Sequence, residues 1–377
     1  MYKTVRKLRI LHIILTVNET SAPYNEHCLP WAEKRDITIG AYFRSKITHP
    51  AKITLYEGDG SIKGFFRILR RALTDREYDA IHVHSPHVGF LFLLATHMLF
   101  FLRYAPYTVV TVHDSYQNYK LRNQLMYLPV FASFQKVVCC SRSSFDSFQA
   151  LYKWLAGDRL GYVQNGVDIS RVDRITADAD QRQSQTRDFR VVAISRLVDV
   201  KNPFLMLSAF RMSADQNTLL TYIGDGPMRN ALIQRSKNIA LENQITFTGL
   251  IPREKVFEHL VNADLFVSTS LGEGLPIAVL EAMACRCPVI LSDIPPHREI
   301  AEAVDFIPLI YPDDVKGFAR EIRRFREMPI AERKEVGQKC RKLVEDCFSL
   351  SAMHAGYTEV YAQLIGNQTQ ELMEEVG

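Results

Sequence analysis

The chain reads Ser270-Leu-Gly-Glu-Gly-Leu-Pro-Ile-Ala-Val-Leu-Glu-Ala-Met-Ala-Cys-Arg-Cys-Pro-Val-Ile290 between two predicted strands, and this stretch decides the fold. The apolar segment Leu265-Phe-Val that precedes it predicts the end of a buried strand. Gly272 and Gly274 permit a tight turn, and Pro276 suits the first helical position, where a missing N–H costs nothing. The backbone N–H groups at the start of this predicted helix offer a place for a phosphate.

Two glutamates flank the predicted helix start. Glu273 precedes the helix, and Glu281 lies about 7.5 Å beyond Pro276 along the axis at 1.5 Å per residue. The neighbours of Glu281 are small or apolar, so a carboxylate there needs a hydrogen-bonding partner. The pair predicts a site for an extended, anionic, hydroxyl-rich ligand, with a sugar at one end, a ribose at the other and phosphates between. The alternatives are a solvated helix residue at Glu281 and an ordinary first-turn acid at Glu273.

The two-glutamate stretch resembles the motif of retaining glycosyltransferases of family 4, which have the GT-B fold. Further pieces similar to that family's landmarks follow its order along the chain: Asn165-Gly-Val-Asp168, Ala193-Ile-Ser-Arg-Leu-Val-Asp-Val-Lys-Asn-Pro203, Tyr222-Ile-Gly-Asp-Gly-Pro227 and Phe247-Thr-Gly-Leu-Ile-Pro-Arg253. Ser195 replaces a glycine that is usual in the family. The resemblance implies an α/β fold of the GT-B type, with two Rossmann-like domains facing a central cleft.

The resemblance also implies roles for individual residues. It gives the donor diphosphate to Arg196 and Lys201, both ribose hydroxyls to Glu281, and the donor sugar to Glu273. It places His113 against the donor sugar or the acceptor, the alternative being a neutral structural histidine. The expected catalytic residues are His113, Glu273, Arg196 and Lys201. The expected donor-binding residues are Arg196, Lys201, Gly224, Ile251, Glu273, Gly274, Leu275, Pro276 and Glu281.

Strands and helices alternate along the chain as in a parallel, doubly wound sheet. The predicted strands are Arg9 to Val17, Ile37 to Phe43, Ala80 to His84, Thr108 to His113 and Lys136 to Cys140, then Arg190 to Ile194, Leu219 to Ile223, Ile245 to Thr248, Leu265 to Ser268 and Val289 to Leu291. The polar, aperiodic run Arg174 to Arg187 indicates a linker. We predict an acceptor-side domain over 1–173, a linker over 174–188, a nucleotide-sugar-binding domain over 189–348, and a helix and tail over 349–377 that pack back toward the first domain.

Composition agrees with a two-domain globular enzyme. The chain has 377 residues, 47% hydrophobic and 23% charged, which is ordinary for a protein with large cores. Its odd number of cysteines, 7, favours a reducing compartment, and Cys139-Cys140 and Cys285-x-Cys287 lack zinc-site spacing. His82 and His84 face one side of a strand, but their segment offers neither a carboxylate nor a third histidine. No metal and no cofactor are expected.

The N-terminal half is basic. Residues 1–174 hold 23 Lys+Arg against 14 Asp+Glu, which suggests an anionic partner such as a membrane surface or a phosphate-linked lipid. Ile62 to Ala72 combines an apolar stripe with arginines and reads equally as a membrane-binding helix or as an ordinary amphipathic helix packed on a sheet. The apolar run Val88 to Leu102 is too short to span a bilayer and predicts a buried or partly membrane-dipping helix. The expected location is cytoplasmic, at the inner face of the membrane.

The loop after the first strand differs from the family. It reads Asn18-Glu-Thr-Ser-Ala-Pro-Tyr-Asn-Glu-His27, without the glycine pair that family members commonly carry. Asn18, Asn25 and His27 are therefore candidates for the acceptor side, although loops of this composition are often merely solvated.

The sequence thus predicts a retaining glycosyltransferase that moves a sugar from a nucleotide-diphosphate sugar to an acceptor hydroxyl. A glycan or lipid-linked acceptor in surface polysaccharide or glycolipid assembly fits the basic N-terminal half, and no nucleic-acid partner is expected. Two alternatives stay open: a nucleotide-sugar 2-epimerase of the same fold, and a catalytically silent binding subunit.

Overall fold

The computed structural model describes residues 6–98, 102–177 and 188–366. These residues form two compact units, each built on one parallel sheet. The first unit runs through Gln164 and resumes at Met353, and the second unit is Asn165–Ala352. The predicted α/β fold with two Rossmann-like domains is confirmed.

The first sheet contains the five strands predicted in the first half of the chain and two short edge strands that were not predicted. Its strands are β1 Arg9–Ile14, β2 Asp36–Ala41, β3 Thr54–Glu57, β4 Ala80–Val83, β5 Thr108–Val112, β6 Lys136–Cys139 and β7 Leu160–Tyr162. They lie in the order β3-β2-β1-β4-β5-β6-β7, all parallel. The sheet changes direction of winding between β1 and β4, and ligands in such sheets gather at the carboxyl ends of the strands there.

The second sheet contains β8 Phe189–Ile194, β9 Thr218–Ile223, β10 Ile245–Phe247, β11 Leu265–Ser268, β12 Val289–Ser292 and the two-residue β13 Leu309–Ile310. The order is β10-β9-β8-β11-β12-β13, again parallel throughout. Buried apolar clusters cover both faces of this sheet, which explains why its strands are nearly continuous hydrophobic runs.

The α-helices are, in chain order, α1 Ile62–Asp75, α2 Pro86–Met98, α3 Leu121–Ser133, α4 Arg142–Ser147, α5 Ala150–Ala156, α6 Ile169–Thr176, α7 Pro203–Ser213, α8 Arg229–Asn238, α9 Arg253–Val261, α10 Ile277–Ala284, α11 Pro295–Ala301, α12 Val315–Glu327, α13 Ile330–Cys347 and α14 Leu350–Ile365. Shorter helical segments include Pro23–Cys28 after β1 and Asp199–Lys201 after β8.

Helix α1 settles one of the open alternatives. The Ser61 hydroxyl caps its first turn by accepting from the Gly64 N–H at 2.9 Å. The apolar stripe considered for membrane binding packs on the first unit: Phe65, Ile68 and Leu69 are buried in its core, and Phe66 is partly buried against it. The stripe is therefore the packing face of an ordinary amphipathic helix, and only the arginine-bearing face is exposed.

Helix α14 returns the chain to the first unit and packs on its sheet. The hydroxyl of Tyr361 lies 2.6 Å from His82 Nδ1, and the hydroxyl of Tyr357 lies 2.9 Å from Thr111 Oγ1. Both tyrosines are buried, so this helix completes the core of a unit whose other elements precede residue 165.

The boundary between the units differs from the predicted one. Helix α6 begins after Asp168, whose carboxylate accepts from the Arg171 N–H at 2.9 Å, and it belongs to the second unit. The second unit therefore starts at Asn165, and the first three residues of the predicted linker, 174–176, are helical. Residues 178–187 of that linker and the tail after Gly366 lie outside the described residues.

Within the described residues, no helix is long and apolar enough to cross a membrane. Cys139, Cys140, Cys285 and Cys287 are buried and unbridged, as the sequence predicted for core cysteines.

Candidate active site

The two-glutamate stretch forms the predicted strand, turn and helix. Strand β11 ends at Ser268, and α10 begins at Ile277. Pro276 is therefore the N-cap residue, and the helix begins one residue later than predicted. Most of α10 is buried because its residues are apolar on nearly all sides. This packing fixes the start of the helix at the carboxyl end of β11, the edge of the sheet where ligands bind in such folds.

Glu281 is buried and paired with an arginine that sequence analysis left out of the site. Its side chain is 6% exposed, and its Oε1 accepts a hydrogen bond from Nη2 of Arg253, the first residue of α9. Burial raises the pKa of the Glu281 carboxyl, and the positive charges of Arg253 and Arg171 oppose that rise. The solvated-helix alternative for Glu281 is therefore wrong. Within the described part of the chain, its Oε2 makes no hydrogen bond.

Glu273 is paired with Lys201, another residue that the sequence predicted for the site. The Lys201 ammonium contacts Glu273 Oε2, and the two side chains are 15% and 13% exposed. Two contacts bring them together: the Leu271 N–H donates to Val200 O at 2.8 Å, and the Thr269 hydroxyl donates to Asn202 O at 3.0 Å. The loop after β11 is thereby attached to the helical turn Asp199–Lys201 after β8.

A series of hydrogen-bonded polar groups holds the Glu273 carboxylate in position. The Ser270 hydroxyl donates to Glu273 Oε1 at 2.7 Å, and the Ser292 hydroxyl donates to the Ser270 carbonyl at 2.5 Å. His297 Nδ1 lies 2.8 Å from the Ser292 carbonyl. Burial lowers the pKa of His297 to about 4, against the opposing charge of Glu273, so the ring is neutral at neutral pH. Sequence analysis missed this series because its three members are distant along the chain.

Glycines bring the loop after β9 against the loop after β8. Gly224 has φ +129°, and a Cβ there would lie 2.1 Å from the Ser195 carbonyl oxygen. A Cβ on Gly226 would lie 2.4 Å from the Leu197 carbonyl oxygen. A side chain at either position would separate the two loops, so the expected involvement of Gly224 has a steric reason.

The other predicted donor residues occupy the same end of the second sheet. Arg196 is exposed on the loop after β8, and Ile251 is partly buried before α9. Leu275 is buried, and its carbonyl accepts from the Asn165 side-chain amide at 3.3 Å. Gly274 adjoins it in the turn before α10.

The first unit contains a histidine cluster, which we define as His12, His27, His82, His84 and His113. His12 and His82 are register partners on β1 and β4, His84 and His113 follow β4 and β5, and His27 comes from the segment Pro23–Cys28. The sequence argument considered only the segment that contains His82 and His84, and the other histidines come from distant segments. Two triads, His12 with His82 and His84, and His27 with His84 and His113, have nitrogens within 4.8 Å of one another. Metal independence stays a prediction.

The candidate acceptor residues are mostly engaged within the first unit. Asn25 is buried, and its amide donates to the carbonyls of Glu19 and Ser21 at 3.1 and 3.0 Å. His27 is 1% exposed inside the histidine cluster. Asn18 accepts from the Thr20 N–H at 3.0 Å. In this structure Asn25 and His27 shape the loop and do not line an open surface.

Family models cover most of the chain. The family described as Glycosyl transferases group 1 matches residues 175–343, and Glycosyltransferase Family 4 matches residues 28–171. The first match includes Lys201, Arg253, Glu273 and Glu281 of the second unit, and the second match includes His82, His84 and His113 of the first unit.

Individual relatives agree. EpsD of Bacillus subtilis, named as a glycosyltransferase, is 26% identical over 318 residues, 81% of this chain and 82% of that protein. The UDP-Gal:alpha-D-GlcNAc-diphosphoundecaprenol alpha-1,3-galactosyltransferase of Escherichia coli is 22% identical over 90% of this chain and 88% of its own length. The structure of Anabaena HepE in complex with UDP and glucose matches with a TM-score of 0.73 and 18% identity, covering 94% of this chain and 100% of that one, which shows a shared fold. The chain therefore belongs to glycosyltransferase family 4 and is a glycosyltransferase of the GT-B fold.

Proposed function

We propose that the protein is a retaining glycosyltransferase that transfers a sugar from a nucleotide-diphosphate sugar to an acceptor hydroxyl in surface polysaccharide or glycolipid assembly. The observation that carries the proposal is the presence of two ion pairs at one end of the second sheet, Lys201 with Glu273 and Arg253 with Glu281, whose side chains are only 6–15% exposed. Buried charges are costly to maintain for stability alone, so their presence at the ligand-binding end of the sheet favours a functional role.

Glu281 is suited to the ribose of the donor. A carboxylate has about four lone-pair sites, and the contact with Arg253 occupies only Oε1. Its Oε2 can therefore accept from the ribose hydroxyls, while the charge of Arg253 opposes the rise in the Glu281 pKa that burial causes. UDP in the HepE complex and the UDP-Gal named for the Escherichia coli relative support a uridine nucleotide as donor.

Glu273 and the turn before α10 are suited to the sugar and the phosphates. The Ser270 hydroxyl holds one Glu273 oxygen and Lys201 contacts the other, so the carboxylate has a fixed orientation toward donor hydroxyls. The N–H groups at the start of α10 and the positive end of its dipole stabilise a diphosphate. The exposed guanidinium of Arg196 supplies a second positive charge on the loop after β8.

The reaction we propose is a substitution on one face of the donor sugar. The bond between the anomeric carbon and the diphosphate oxygen breaks, and the acceptor oxygen bonds to that carbon from the same side. The leaving diphosphate takes the acceptor proton while Arg196, Lys201 and the α10 N-terminus stabilise its charge. Because the protein supplies these positive groups, the reaction requires no divalent metal.

The membrane contact we propose is electrostatic and peripheral. The exposed face of α1 carries Arg67, Arg70 and Arg71, whereas its apolar face is buried. Each basic residue near an anionic surface contributes about 1 kcal/mol of attraction. Cosedimentation with phosphatidylglycerol vesicles should therefore fall steeply with salt. Equal binding to neutral phosphatidylcholine vesicles would contradict this part of the proposal.

The test of the donor site uses purified protein with EDTA and a panel of UDP-, GDP- and ADP-sugars. We expect one donor to raise the melting temperature and to release nucleotide diphosphate slowly, with both effects lost in Glu281→Gln and Lys201→Ala. Lys255→Ala is the matched control, because Lys255 pairs with Glu258 on the exposed face of α9. If no donor binds, the assignment of the donor site fails. If turnover requires added Mg²⁺ or Mn²⁺, the proposal of a metal-independent reaction fails.

Stereochemistry and acceptor dependence test the rest. NMR of the product of an α-linked donor should show an α linkage, whereas a β linkage would exclude retention. Formation of a free 2-epimer without any acceptor would favour the epimerase.

A further inference from the structure

Three members of the histidine cluster form a continuous chain of ring contacts. His12 Nδ1 lies 2.9 Å from His84 Nε2, and His84 Nδ1 lies 3.1 Å from His113 Nε2. Both distances are those of N–H···N hydrogen bonds. The chain leads from the buried His12 on β1 to the partly exposed His113 after β5.

All three rings are neutral at neutral pH. Burial is the main cause, and it lowers the pKa of His12 to about 3, that of His113 to about 4, and that of His84 well below its ordinary value. A neutral imidazole has one N–H donor and one acceptor nitrogen. The direction of one hydrogen bond between these histidines therefore fixes the direction of the other. Only two arrangements are possible: the N–H groups donate from His12 toward His113, or from His113 toward His12.

The surroundings of His12, at the buried end of these hydrogen-bonded histidines, favour one of the two proton arrangements. His12 Nε2 is buried and has no hydrogen-bond partner among the described residues. If His113 donated toward His12, this nitrogen would carry an unpaired N–H, whereas donation from His12 leaves only a lone pair there. Buried N–H groups without a partner are rarer in proteins than unpaired acceptors. The favoured direction is therefore His12 Nδ1–H to His84 Nε2, and His84 Nδ1–H to His113 Nε2.

We propose that His12 and His84 are positioning residues that hold His113 as the Nδ1–H tautomer, so that His113 donates a hydrogen bond to an oxygen of the bound sugar or acceptor and does not act as a base. In the described part of the chain Nδ1 of His113 has no partner, and the ring is partly exposed. The tautomer follows from the histidine chain alone, and the ligand oxygen rests on the proposed function.

A bound metal ion is the alternative explanation for the close approach of ring nitrogens in the histidine cluster. Tetrahedral ligands at 2.0–2.1 Å from zinc would place their nitrogens about 3.3 Å apart with all lone pairs directed at the ion. Here both nitrogens of His84 approach a nitrogen of another ring at 2.9 and 3.1 Å, so they are occupied by those contacts. Both nitrogens of His82 are likewise occupied, by Tyr361 and Thr111 at 2.6 Å.

The first experiment reads the tautomers directly in EDTA-treated protein labelled with ¹⁵N-histidine, at neutral pH and without substrate. Long-range ¹H–¹⁵N correlation spectra distinguish Nδ1–H, Nε2–H and imidazolium forms, and the His113 signals are identified by their absence in His113→Gln. We expect His12, His84 and His113 all as Nδ1–H, the form that is disfavoured for histidine in water. An Nε2–H or imidazolium form of His113, or metal retained by the cluster, would overturn the proposal.

The second experiment is kinetic and distinguishes a hydrogen-bond donor from a base at His113, using the nucleotide sugar that the panel of donors selects. The amide of glutamine can donate but cannot remove a proton at neutral pH. We therefore expect His113→Gln to keep kcat within about tenfold of the parent and His113→Leu to lose about a hundredfold. Equal loss in both variants would show that His113 works as a base.

The third experiment tests the positioning residue. His84→Leu should lower kcat about tenfold with little change in KM and should give mixed His113 tautomers. His82→Leu is the matched control, because His82 is also buried but takes no part in the hydrogen bonds that link His12, His84 and His113. This variant should leave the His113 tautomer unchanged. A protein that turns over no donor but shows the expected tautomers would contradict the proposed function and the contact with a ligand oxygen, and would leave only the tautomer assignment standing.

Discussion

Replacing Arg253 by methionine should destabilise the second unit strongly, because it removes the partner of a buried carboxylate. The side chains of Arg253 and Glu281 are 14% and 6% exposed, so water cannot replace the guanidinium. Breaking such a buried pair from one side costs about 3–5 kcal/mol. For a unit of this size, that loss lowers the melting temperature by about 6–20 °C.

The matched control is Arg298→Met. Arg298 also pairs with a carboxylate, Asp293, but the two side chains are 58% and 28% exposed. Exposed pairs contribute about 0–1 kcal/mol, so the control should shift the melting temperature by no more than about 4 °C. Thermal and urea unfolding followed by circular dichroism measure both variants. Equal, small losses in the two would refute the argument that burial makes the Arg253 pair indispensable.

The pH dependence of Arg253→Met supplies a second check with a defined sign. Burial already raises the pKa of Glu281 above its ordinary value of 4.5, and removal of Arg253 takes away the largest opposing charge. The folded variant then binds a proton that the unfolded chain has released, so its unfolding free energy falls as pH rises from about 4.5 through the raised pKa. The deficit relative to the parent should therefore be larger at neutral pH than near pH 5. A constant deficit across this range would mean that Glu281 is not the group left unpaired.

Three further predictions concern the two units separately. Lys201→Met should lower the rate of nucleotide diphosphate release at least about a hundredfold, and Lys201→Arg should lose less, as steady-state kinetics would show; equal losses would argue against a charge role. Gly224→Ala should cost about 1–3 kcal/mol in urea unfolding, because its Cβ would clash with a backbone carbonyl and the residue has positive φ, whereas Gly161→Ala, with open space around it, should be tolerated. The first unit should lose stability as pH falls below about 6.5, by up to about 1.4 kcal/mol per pH unit for each buried neutral histidine. The pKa of His12 and of His113 is lowered in the fold, so the unfolded state binds the extra protons; an unfolding midpoint unchanged between pH 7.5 and 5.5 would contradict this.

Much of the fold could be predicted from sequence because the strands are buried on both faces. Short apolar runs such as Leu265-Phe-Val indicate buried strands when turn residues follow them, and here Gly274 and Pro276 mark the turn into the helix. The two-residue strand β13 and the edge strands β3 and β7 were missed, because short strands with partly exposed residues carry weak patterns. The first unit was assigned residues 165–173 as well, because the polar, aperiodic run that indicated a linker begins only at Arg174.

The candidate site was predicted less completely, for a different reason. Local motifs point to Glu273, Glu281 and Lys201. Their hydrogen-bonding and ion-pair partners, however, depend on which strand ends and loops the sheet brings close together. Arg253 reaches Glu281 only because α9 and α10 are neighbours, and His297 reaches Ser292 from the next helix. Nothing in the local pattern around His12 indicates that its ring meets His84, since the contact arises from the pairing of β1 with β4.

The return of α14 to the first unit has a consequence for biosynthesis. The second unit is continuous in sequence, so it can fold as soon as Ala352 has left the ribosome. The first unit begins earlier but must wait, because His82 and Thr111 receive their tyrosine partners only after Tyr357 and Tyr361 have been synthesised. During that interval His82 and Thr111 lack these partners and the core of the first unit is incomplete, a state in which nascent chains are prone to the aggregation that chaperones prevent.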